Sequence, residues 1–515
     1  MGQDGILRAG WQPALCGHLQ TPAGGDSRLT PSPGTAHAPA PSGRWRKPAC
    51  ALLLIAYFFL VSWDTLKVQF SDDEMMNIWG YWSPPPWRLL ESQFMIWRGY
   101  FRPMGGLFFA PLYQVFGLRP VGYHAVLLVL LLVGAYQMYR LSRALGSGEL
   151  ASAMVALIAC YHGGLHNLYY NSSFVFDVLC GIFFFATLAY YARIRSSGRL
   201  LSGGQTAAFL ALFLCALNSK EMGATLPAVL LAYEWLFYGP PGWPWKKFAA
   251  WMRGEGRVIF WSGMLDLVFI YGKRFGQYGL MKQAAYTPVI SRPRFVDFQE
   301  RYIGDIFYHL PRFGWIATLI VWAAVTYLAW RRKNPLLRFC WWYIVLTPLP
   351  LAFLIGRDQA CLYVTLAGWA VLAGALFESW LPALARVVAA EPAFRRMEFG
   401  RVRVLVAGAV IVAMALASWS YKRTEIEPGN LTLSPLTAAV LAQFRAVNPQ
   451  VRPGSKVIFL QDPFNSFDMA FIAELWFGNR GTRVRLNQQT PLPPAEIAGA
   501  DAVFTWKEGK LIRVR

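Results

Sequence analysis

The chain has 515 residues, of which 55% are hydrophobic and 16% aromatic, and its formal net charge is +21. A soluble protein of this length divides into domains with polar surfaces, so the composition excludes an ordinary soluble protein. The charge does not indicate nucleic-acid binding, because the basic residues lie mostly in short loops between apolar runs. That distribution is typical of polytopic membrane proteins, with some of the charge facing anionic lipid or a phosphate-bearing substrate.

Residues 1–46 are rich in Gly, Pro, Ser and Ala and are expected to form a disordered cytoplasmic tail. The region 47–420 is predicted to be a multi-pass membrane domain with about 11 transmembrane helices, the first acting as an uncleaved signal anchor. The predicted spans are 48–66, 121–139, 149–163, 173–192, 205–218, 221–238, 257–271, 312–330, 339–356, 360–380 and 402–420. The shorter run at 104–118 is broken by Gly and Pro, and we expect it to lie at the membrane interface.

The distribution of Lys and Arg predicts the orientation of these spans. Basic residues recur in loops such as 193–199, 331–338 and 395–403, whereas the loop 164–172 has none. The positive-inside rule places the basic loops in the cytoplasm. The long loops 67–120 and 272–311 then lie outside, which means the periplasm if the cell is bacterial.

The sequence pattern changes after residue 421. Apolar alternation predicts strands at 456–461, 482–487 and 501–506, with amphipathic helices between them, so 421–515 is predicted to be a small extracytoplasmic α/β domain. Asp462 and Asp468 follow the first of these strands and could form a site, although turn and capping roles suit the same positions.

Asp72, Asp73 and Glu74 follow the first span directly. Three carboxylates at a membrane surface repel one another and face a nearby medium of low dielectric constant. Because such an arrangement is costly, it indicates a functional site; the alternative is the solvated start of a loop.

Other polar residues lie at the outer ends of later spans. Arg102 precedes Pro103, which predicts extended backbone at the arginine. His124 lies at the start of the second span, where a histidine has either a packing role or a functional one. His162 and His166 are four residues apart like metal ligands, but the two glycines between them and the absence of an HExxH motif weigh against a metal pair.

Three further positions extend this set. Asp177, near the outer end of a span, is suited to an internal polar contact. Lys220 and Glu221 interrupt an apolar hairpin. Either the two side chains pair with each other, or Lys220 points towards an anionic substrate. Arg357 lies at a tight outer turn between two spans, a position that suits a lipid phosphate.

Taken in order, these residues resemble the GT-C superfamily of integral-membrane glycosyltransferases, which use polyprenyl-phosphate sugars. The branch most similar is that of the protein O-mannosyltransferases and their bacterial relatives. The resemblance covers about residues 48–380 and rests on Asp72-Asp73-Glu74, on Arg102-Pro103 through Gly117, Gly122 and His124, on His162 to Asp177, on Ser219-Lys220-Glu221, and on Arg357 with Tyr363. The chain departs from the family at Leu362-Tyr363-Val364, where relatives often have Tyr-Leu-Pro, and the loop 272–311 is too short for a β-trefoil.

The resemblance implies an all-α polytopic membrane enzyme that moves a sugar, with inversion, from a polyprenyl-phosphate donor to an acceptor hydroxyl on a glycan, lipid or protein. The reaction would take place at the periplasmic face of a bacterial inner membrane. Such transfer needs a base at the acceptor and cations at the departing phosphate. The predicted base is Asp72 or Asp73, and the predicted substrate-binding residues are Glu74, Arg102, His124, His166, Asp177, Lys220, Glu221, Arg357 and Tyr363. No metal ligands are predicted, although a divalent cation at the acids is left open.

The hypothesis requires Asp72 or Asp73 to share an outer cavity with Arg357. One alternative is a transporter or flippase of lipid-linked saccharides, which would use the same basic residues. Transporters usually contain repeated halves with broken helices at the membrane midplane, and the sequence shows no such repeat. A structural assembly subunit is a third possibility, but it leaves the acids and bases unexplained.

Overall fold

The computed structural model describes residues 46–239, 245–308, 314–430 and 435–515, so the predicted N-terminal tail lies outside the described residues. The helices up to residue 239 are α1 (Arg46–Ser62), α2 (Asp72–Trp82), α3 (Pro86–Phe94), α4 (Gly106–Phe116), α5 (Pro120–Ala144), α6 (Glu149–Cys160), α7 (Asn167–Tyr170), α8 (Val175–Ser196), α9 (Gly203–Ser219) and α10 (Leu226–Phe237). The helices between 245 and 430 are α11 (Trp245–Arg253), α12 (Arg257–Phe275), α13 (Arg292–Ile306), α14 (Trp315–Arg331), α15 (Pro335–Leu346), α16 (Tyr363–Ala390), α17 (Phe399–Tyr421) and α18 (Glu427–Asn430).

Every predicted span contains a helix. Those helices are α1, α5, α6, α8, α9, α10, α12, α14, α15, α16 and α17. Among the described residues, five continuous helical segments are long and apolar enough to cross a bilayer, namely Pro48–Lys67, Pro120–Ala144, Ser172–Ser196, Gln359–Ala390 and Phe399–Gly429. The protein is therefore a multi-pass, mainly helical membrane protein, as the composition predicts.

The burial of these segments shows which of them form the centre. The segments containing α8 and α16 are 83% and 78% buried over their most apolar windows, whereas those containing α1 and α17 are 22% and 17% buried. Apolar side chains of α17, including Val404, Val412 and Leu416, are exposed. An apolar helix that leaves such side chains uncovered is suited to contact with lipid, so α1 and α17 lie at the edge of the bundle.

Two predicted spans are helical over fewer residues than the sequence suggests. The span predicted at 339–356 is helical only to Leu346, because Pro348 and Pro350 cannot continue the helix. The span predicted at 221–238 begins with a 3₁₀ turn, Glu221–Thr225, before α10 starts at Leu226. The predicted interfacial run forms α4, whose Phe108 and Phe109 are buried in the helical core.

Tyr363, at the start of α16, is part of the central packing. Its ring lies edge-on to Phe185 with centroids 5.8 Å apart. A Cβ atom at Gly134 would lie 2.1 Å from the Tyr363 hydroxyl, and one at Gly181 would lie 2.6 Å from its ring. Both positions therefore accept glycine because the tyrosine fills the space that a side chain would need.

The C-terminal segment folds around a four-stranded sheet, of which three strands were predicted and the last was not. Its elements are α19 (Pro435–Val447), β1 (Lys456–Phe459), α20 (Asp468–Phe477), β2 (Arg483–Leu486), α21 (Pro494–Ala498), β3 (Ala502–Lys507) and β4 (Lys510–Arg513). The strand order is β2-β1-β3-β4; β1 pairs in parallel with both neighbours, and β4 is antiparallel to β3. This segment belongs to the same compact unit as the membrane helices, Cys50–Arg515, and packs on α2 through α20.

Candidate active site

A cavity of about 450 Å³ lies where α8 begins and α9 ends. Asp177 is in the first turn of α8, which runs to the basic turn 193–199; α9 then returns and ends at Ser219, next to Lys220. The cavity therefore lies at the opposite end of these helices from a loop that the positive-inside rule assigns to the cytoplasm.

The cavity brings together much of the predicted site. The predicted residues that line it are Asp73, Arg102, Asp177, Lys220, Glu221 and Arg357. Asp72, Glu74, His124, His166 and Tyr363 are not among its lining residues. The shared cavity that the sequence hypothesis requires for Asp73 and Arg357 is thus present.

The start of α2 directs the three acids to different surroundings. Ser71 caps the helix, because its Oγ accepts a hydrogen bond from the Glu74 amide and its own amide donates to Glu74 Oε2 over 2.6 Å. Successive residues on a helix point about 100° apart. Glu74 consequently points into the core and also accepts a hydrogen bond from the Ser172 amide, whereas Asp72 accepts one from the Thr437 hydroxyl.

Asp73 points into the cavity together with Met76 and Asn77, three and four residues along the same face of α2. Among the described residues its carboxylate has no hydrogen-bond donor and no cation within ion-pair distance. Asp73 is exposed to solvent at the cavity, but nearby protein atoms still desolvate part of its carboxylate. This partial burial, followed by the negative charges of Asp72 and Asp468, raises the pKa of Asp73 above the ordinary 3.8.

Arg102 differs from its prediction, because its backbone is left-handed with φ of 36° rather than extended. Its carbonyl accepts a hydrogen bond from the Tyr81 hydroxyl over 2.9 Å, which helps to hold this uncommon conformation. The guanidinium group donates twice to Glu221 Oε2, over 3.0 and 3.2 Å, and lies against the rings of Phe101 and Phe176.

Lys273 is a cavity residue that sequence reasoning missed. Its Nζ lies 3.4 Å from Glu221 Oε1 and donates to the Tyr100 carbonyl over 2.9 Å. Glu221 is therefore held between Lys273 and Arg102, and it does not pair with its neighbour Lys220. One signal was present in the sequence: a lysine just beyond the outer end of a predicted span is contrary to the positive-inside rule.

Lys220 pairs with Asp177 inside the protein. Its Nζ is 2.6 Å from both carboxylate oxygens and 3.1 Å from the Cys361 sulfur, and both charged side chains are less than 10% exposed. The predicted internal contact of Asp177 is thus confirmed, with a partner that the sequence did not identify. Loss of one member would leave the other charge buried and unpaired.

Arg357 has no carboxylate partner within ion-pair distance among the described residues. Its guanidinium carbon lies 4.1 Å from the centre of the Tyr286 ring, and one terminal nitrogen donates to the Ala285 carbonyl. Its buried Nε has no hydrogen-bond partner in the part of the chain that the structure describes. A buried donor of this kind favours an acceptor supplied from outside the chain.

The predicted site residues that do not line the cavity contact other protein side chains. His124 is buried with Nε2 3.8 Å from Glu74 Oε1, and His166 lies beside Gln359. Their assignment to substrate binding stays a prediction, as does a divalent cation at the acids. Among the described residues there is no group of three or more His, Cys, Asp or Glu side chains arranged to hold a metal ion.

Of the two acids that follow β1, Asp462 shows the turn role expected of it, whereas Asp468 does not cap α20, whose N-cap is Phe467. Asp462 accepts a hydrogen bond from the Phe464 amide two residues on, which makes a turn. Asp468 lies in the first turn of α20 and accepts one from the Ser466 hydroxyl.

No protein-family model and no curated protein sequence matches the chain significantly. Its structure is similar to the apo crystal structure of ArnT from Cupriavidus metallidurans, with a TM-score of 0.54 and 13% sequence identity over 89% of this chain and 93% of that chain. A weaker similarity, with a TM-score of 0.44 and 12% identity, covers 86% of this chain and 64% of the Archaeoglobus fulgidus oligosaccharyltransferase tethered with an acceptor peptide. The similarity to ArnT concerns the fold alone: the chain has a fold similar to that of ArnT.

Proposed function

We propose that this protein is a membrane glycosyltransferase that moves a sugar from a polyprenyl-phosphate donor to an acceptor hydroxyl, with Asp73 as the base. The observation that carries the proposal is a mismatch of charge in the cavity. Lys220 is paired with Asp177, and Arg102 and Lys273 share Glu221, whereas among the described residues Arg357 has no carboxylate and Asp73 no cation within ion-pair distance. A free base and a free guanidinium in one cavity are what transfer from a phosphate requires.

The unpaired charge also favours one class of donor. A sugar joined to a lipid through a single phosphate carries one negative charge, which one guanidinium group can match. The other cations each lie beside a carboxylate: Lys220 is paired with Asp177, and Arg102 and Lys273 share Glu221. Arg357 is the one cavity cation, among the described residues, with no carboxylate in ion-pair distance, and a monophosphate matches that single guanidinium, so we favour a monophosphate donor.

A second, apolar cavity supports a lipid carrier. It has a volume of about 640 Å³ and lies among α13, α14 and α15, with Phe295, Leu319 and Trp322 among its lining residues. Leu349 lines both this cavity and the polar one. A hydrocarbon chain bound among α13–α15 would bring its phosphate towards Arg357.

The proposed step is a single displacement. Asp73 removes the proton from the acceptor hydroxyl, and the acceptor oxygen forms a bond to the anomeric carbon. The bond from that carbon to the phosphate oxygen breaks on the opposite side, which inverts the configuration. Arg357 stabilises the charge that grows on the departing phosphate. The acceptor is a glycan, lipid or protein hydroxyl, and the site faces the periplasm of a bacterial inner membrane.

The decisive experiment uses the full chain in proteoliposomes. A panel of undecaprenyl-phosphate hexoses and pentoses is supplied with membranes from cells lacking the gene, and labelled products are identified by mass spectrometry. We expect wild type to transfer one sugar, Asp73→Asn to lose transfer, and Arg357→Ala to bind undecaprenyl phosphate about tenfold more weakly.

Arg445→Ala is the matched control, because Arg445 donates to the Leu118 carbonyl outside the cavity. It should retain both transfer and binding. Wild-type transfer by Asp73→Asn would refute the assigned base. Movement of an intact lipid-linked sugar across the bilayer without cleavage would instead identify a transporter.

A further inference from the structure

The helix that carries Asp73 is held by the C-terminal segment at both ends and in the middle. Near the start of α2, Asp72 accepts the hydrogen bond from Thr437 of α19. At its end, Arg480 Nε donates to the Trp82 carbonyl over 2.9 Å. That carbonyl is in the last turn of α2, where the helix itself provides no donor.

The middle contact is the most specific of the three. The indole Nε1 of Trp79 donates to Glu474 Oε2 over 2.6 Å, and its ring lies 4.8 Å from that of Phe471. The other carboxylate oxygen of Glu474 accepts a hydrogen bond from the Val484 amide in β2 over 3.2 Å. Glu474 therefore joins α2 to both α20 and the sheet, through hydrogen bonds that its charge strengthens.

The spacing of these contacts separates the faces of α2. Trp79 lies two turns beyond Asp72, on the face towards the C-terminal segment, whereas Asp73 and Asn77 face the cavity. Rotation of α2 by the angle of one residue, about 100°, would turn the Asp73 carboxylate away from the cavity. The Trp79–Glu474 contact opposes that rotation.

We infer that Glu474 is a positioning residue for the proposed reaction, acting through Trp79 to direct the Asp73 carboxylate at the acceptor hydroxyl. The inference rests on the proposed function and adds to it a role for the C-terminal segment. Glu474 lies outside the donor cavity, so its removal changes turnover and leaves donor binding unchanged.

The test measures turnover of the full chain with the polyprenyl-phosphate sugar that wild type uses in the panel above. Turnover is expressed per undecaprenyl-phosphate binding site, which confines the measurement to folded protein. We expect Glu474→Ala and Trp79→Phe each to lower kcat about tenfold and to leave the donor KM unchanged. A loss of this size is modest because the catalytic carboxylate is displaced rather than removed. The double variant should lose no more than the worse single variant, because both changes break one contact.

The Asp73→Asn background provides the readout that a purely structural role would not produce. If Glu474 acts through Asp73, Glu474→Ala should leave the residual rate of Asp73→Asn unchanged. The control is Glu496→Ala, since the ion pairs of Glu496 are with Lys456 and Arg485 of the same segment and not with a residue of α2. It should keep wild-type kcat.

Two outcomes would overturn the inference. One is wild-type kcat in both Glu474→Ala and Trp79→Phe. The other is a loss from Glu474→Ala that is equally large with and without Asp73. Either result would leave the proposed function standing if Asp73→Asn alone lowers transfer by about a hundredfold or more. Wild-type transfer by Asp73→Asn would instead refute the proposed function itself.

Discussion

Three neighbouring acids show what residue type and spacing can and cannot reveal. The cluster Asp72-Asp73-Glu74 indicated a site because three carboxylates adjoin a membrane span. The sequence could not divide the roles among them, since that depends on partners about 100 and 365 residues away, Ser172 for Glu74 and Thr437 for Asp72. Only Asp73 is left for the cavity.

The raised pKa of Asp73 predicts how pH affects both activity and stability. A base must be deprotonated, so kcat/KM should fall as the pH drops through a value above 3.8. In the folded state this carboxyl holds its proton at pH values where the unfolded chain has lost it, so its ionisation reduces stability as pH rises through that window.

Asp73→Asn should therefore lower turnover by about 10²–10⁴-fold while its melting temperature at pH 7 equals or exceeds that of wild type. Thermal denaturation of the purified variant checks the melting temperature. Separate transfer assays over pH 4–8 check turnover and its pH dependence. A clearly lower melting temperature would contradict the sign of the pKa shift.

At the scale of elements, the Lys220–Asp177 pair joins the end of α9 to the start of α8. Lys220→Ala leaves Asp177 buried without a partner and should reduce the free energy of unfolding by about 3–5 kcal/mol. Asp177→Ala should cost a similar amount. The double variant should lose less than the sum of the two, because no unpaired charge remains.

Urea denaturation of the three variants in detergent measures this coupling. Additive losses would show that the two side chains act independently. The surface pair Arg301 and Asp297, four residues apart on α13, is the comparison, since exposed pairs contribute at most about 1 kcal/mol.

The length of the apolar runs predicted where the membrane helices lie, but prolines within a run determine where a helix ends. Each predicted span contains a helix, but Pro348 and Pro350 end α15 early. The following turn supplies Leu349 and Arg357 to the polar cavity. The sequence assigned most of this segment to a transmembrane helix because its residues are apolar, and hydropathy alone does not distinguish a buried turn from a helix.

At the scale of the whole molecule, the charge asymmetry of the loops predicts a sidedness that can be measured. In a chain with Cys16 and Cys50 replaced by serine, Glu508→Cys in the exposed β3–β4 turn should react with an impermeant thiol reagent from outside intact cells. Arg199→Cys, in an exposed basic turn, should react only after lysis. The reverse pattern would invert the predicted topology.

The sequence did not reveal which distant segments of the chain contact each other. Composition predicted a helical membrane protein, apolar alternation predicted a small α/β segment after residue 421, and both are present. It did not show that this segment contacts the helix of the proposed base through Trp79, because a packed tryptophan and an interfacial one have the same local sequence pattern.

Leu349 borders a charged cavity on one side and an apolar one on the other. A molecule with an ionic head and a long tail can occupy both at once, and many solubilising agents used in purification have that shape. An alkyl phosphocholine micelle would supply such molecules at millimolar concentration. Activity measured after extraction therefore depends on the choice of detergent, and a bulky, uncharged head group is the safer choice for purification.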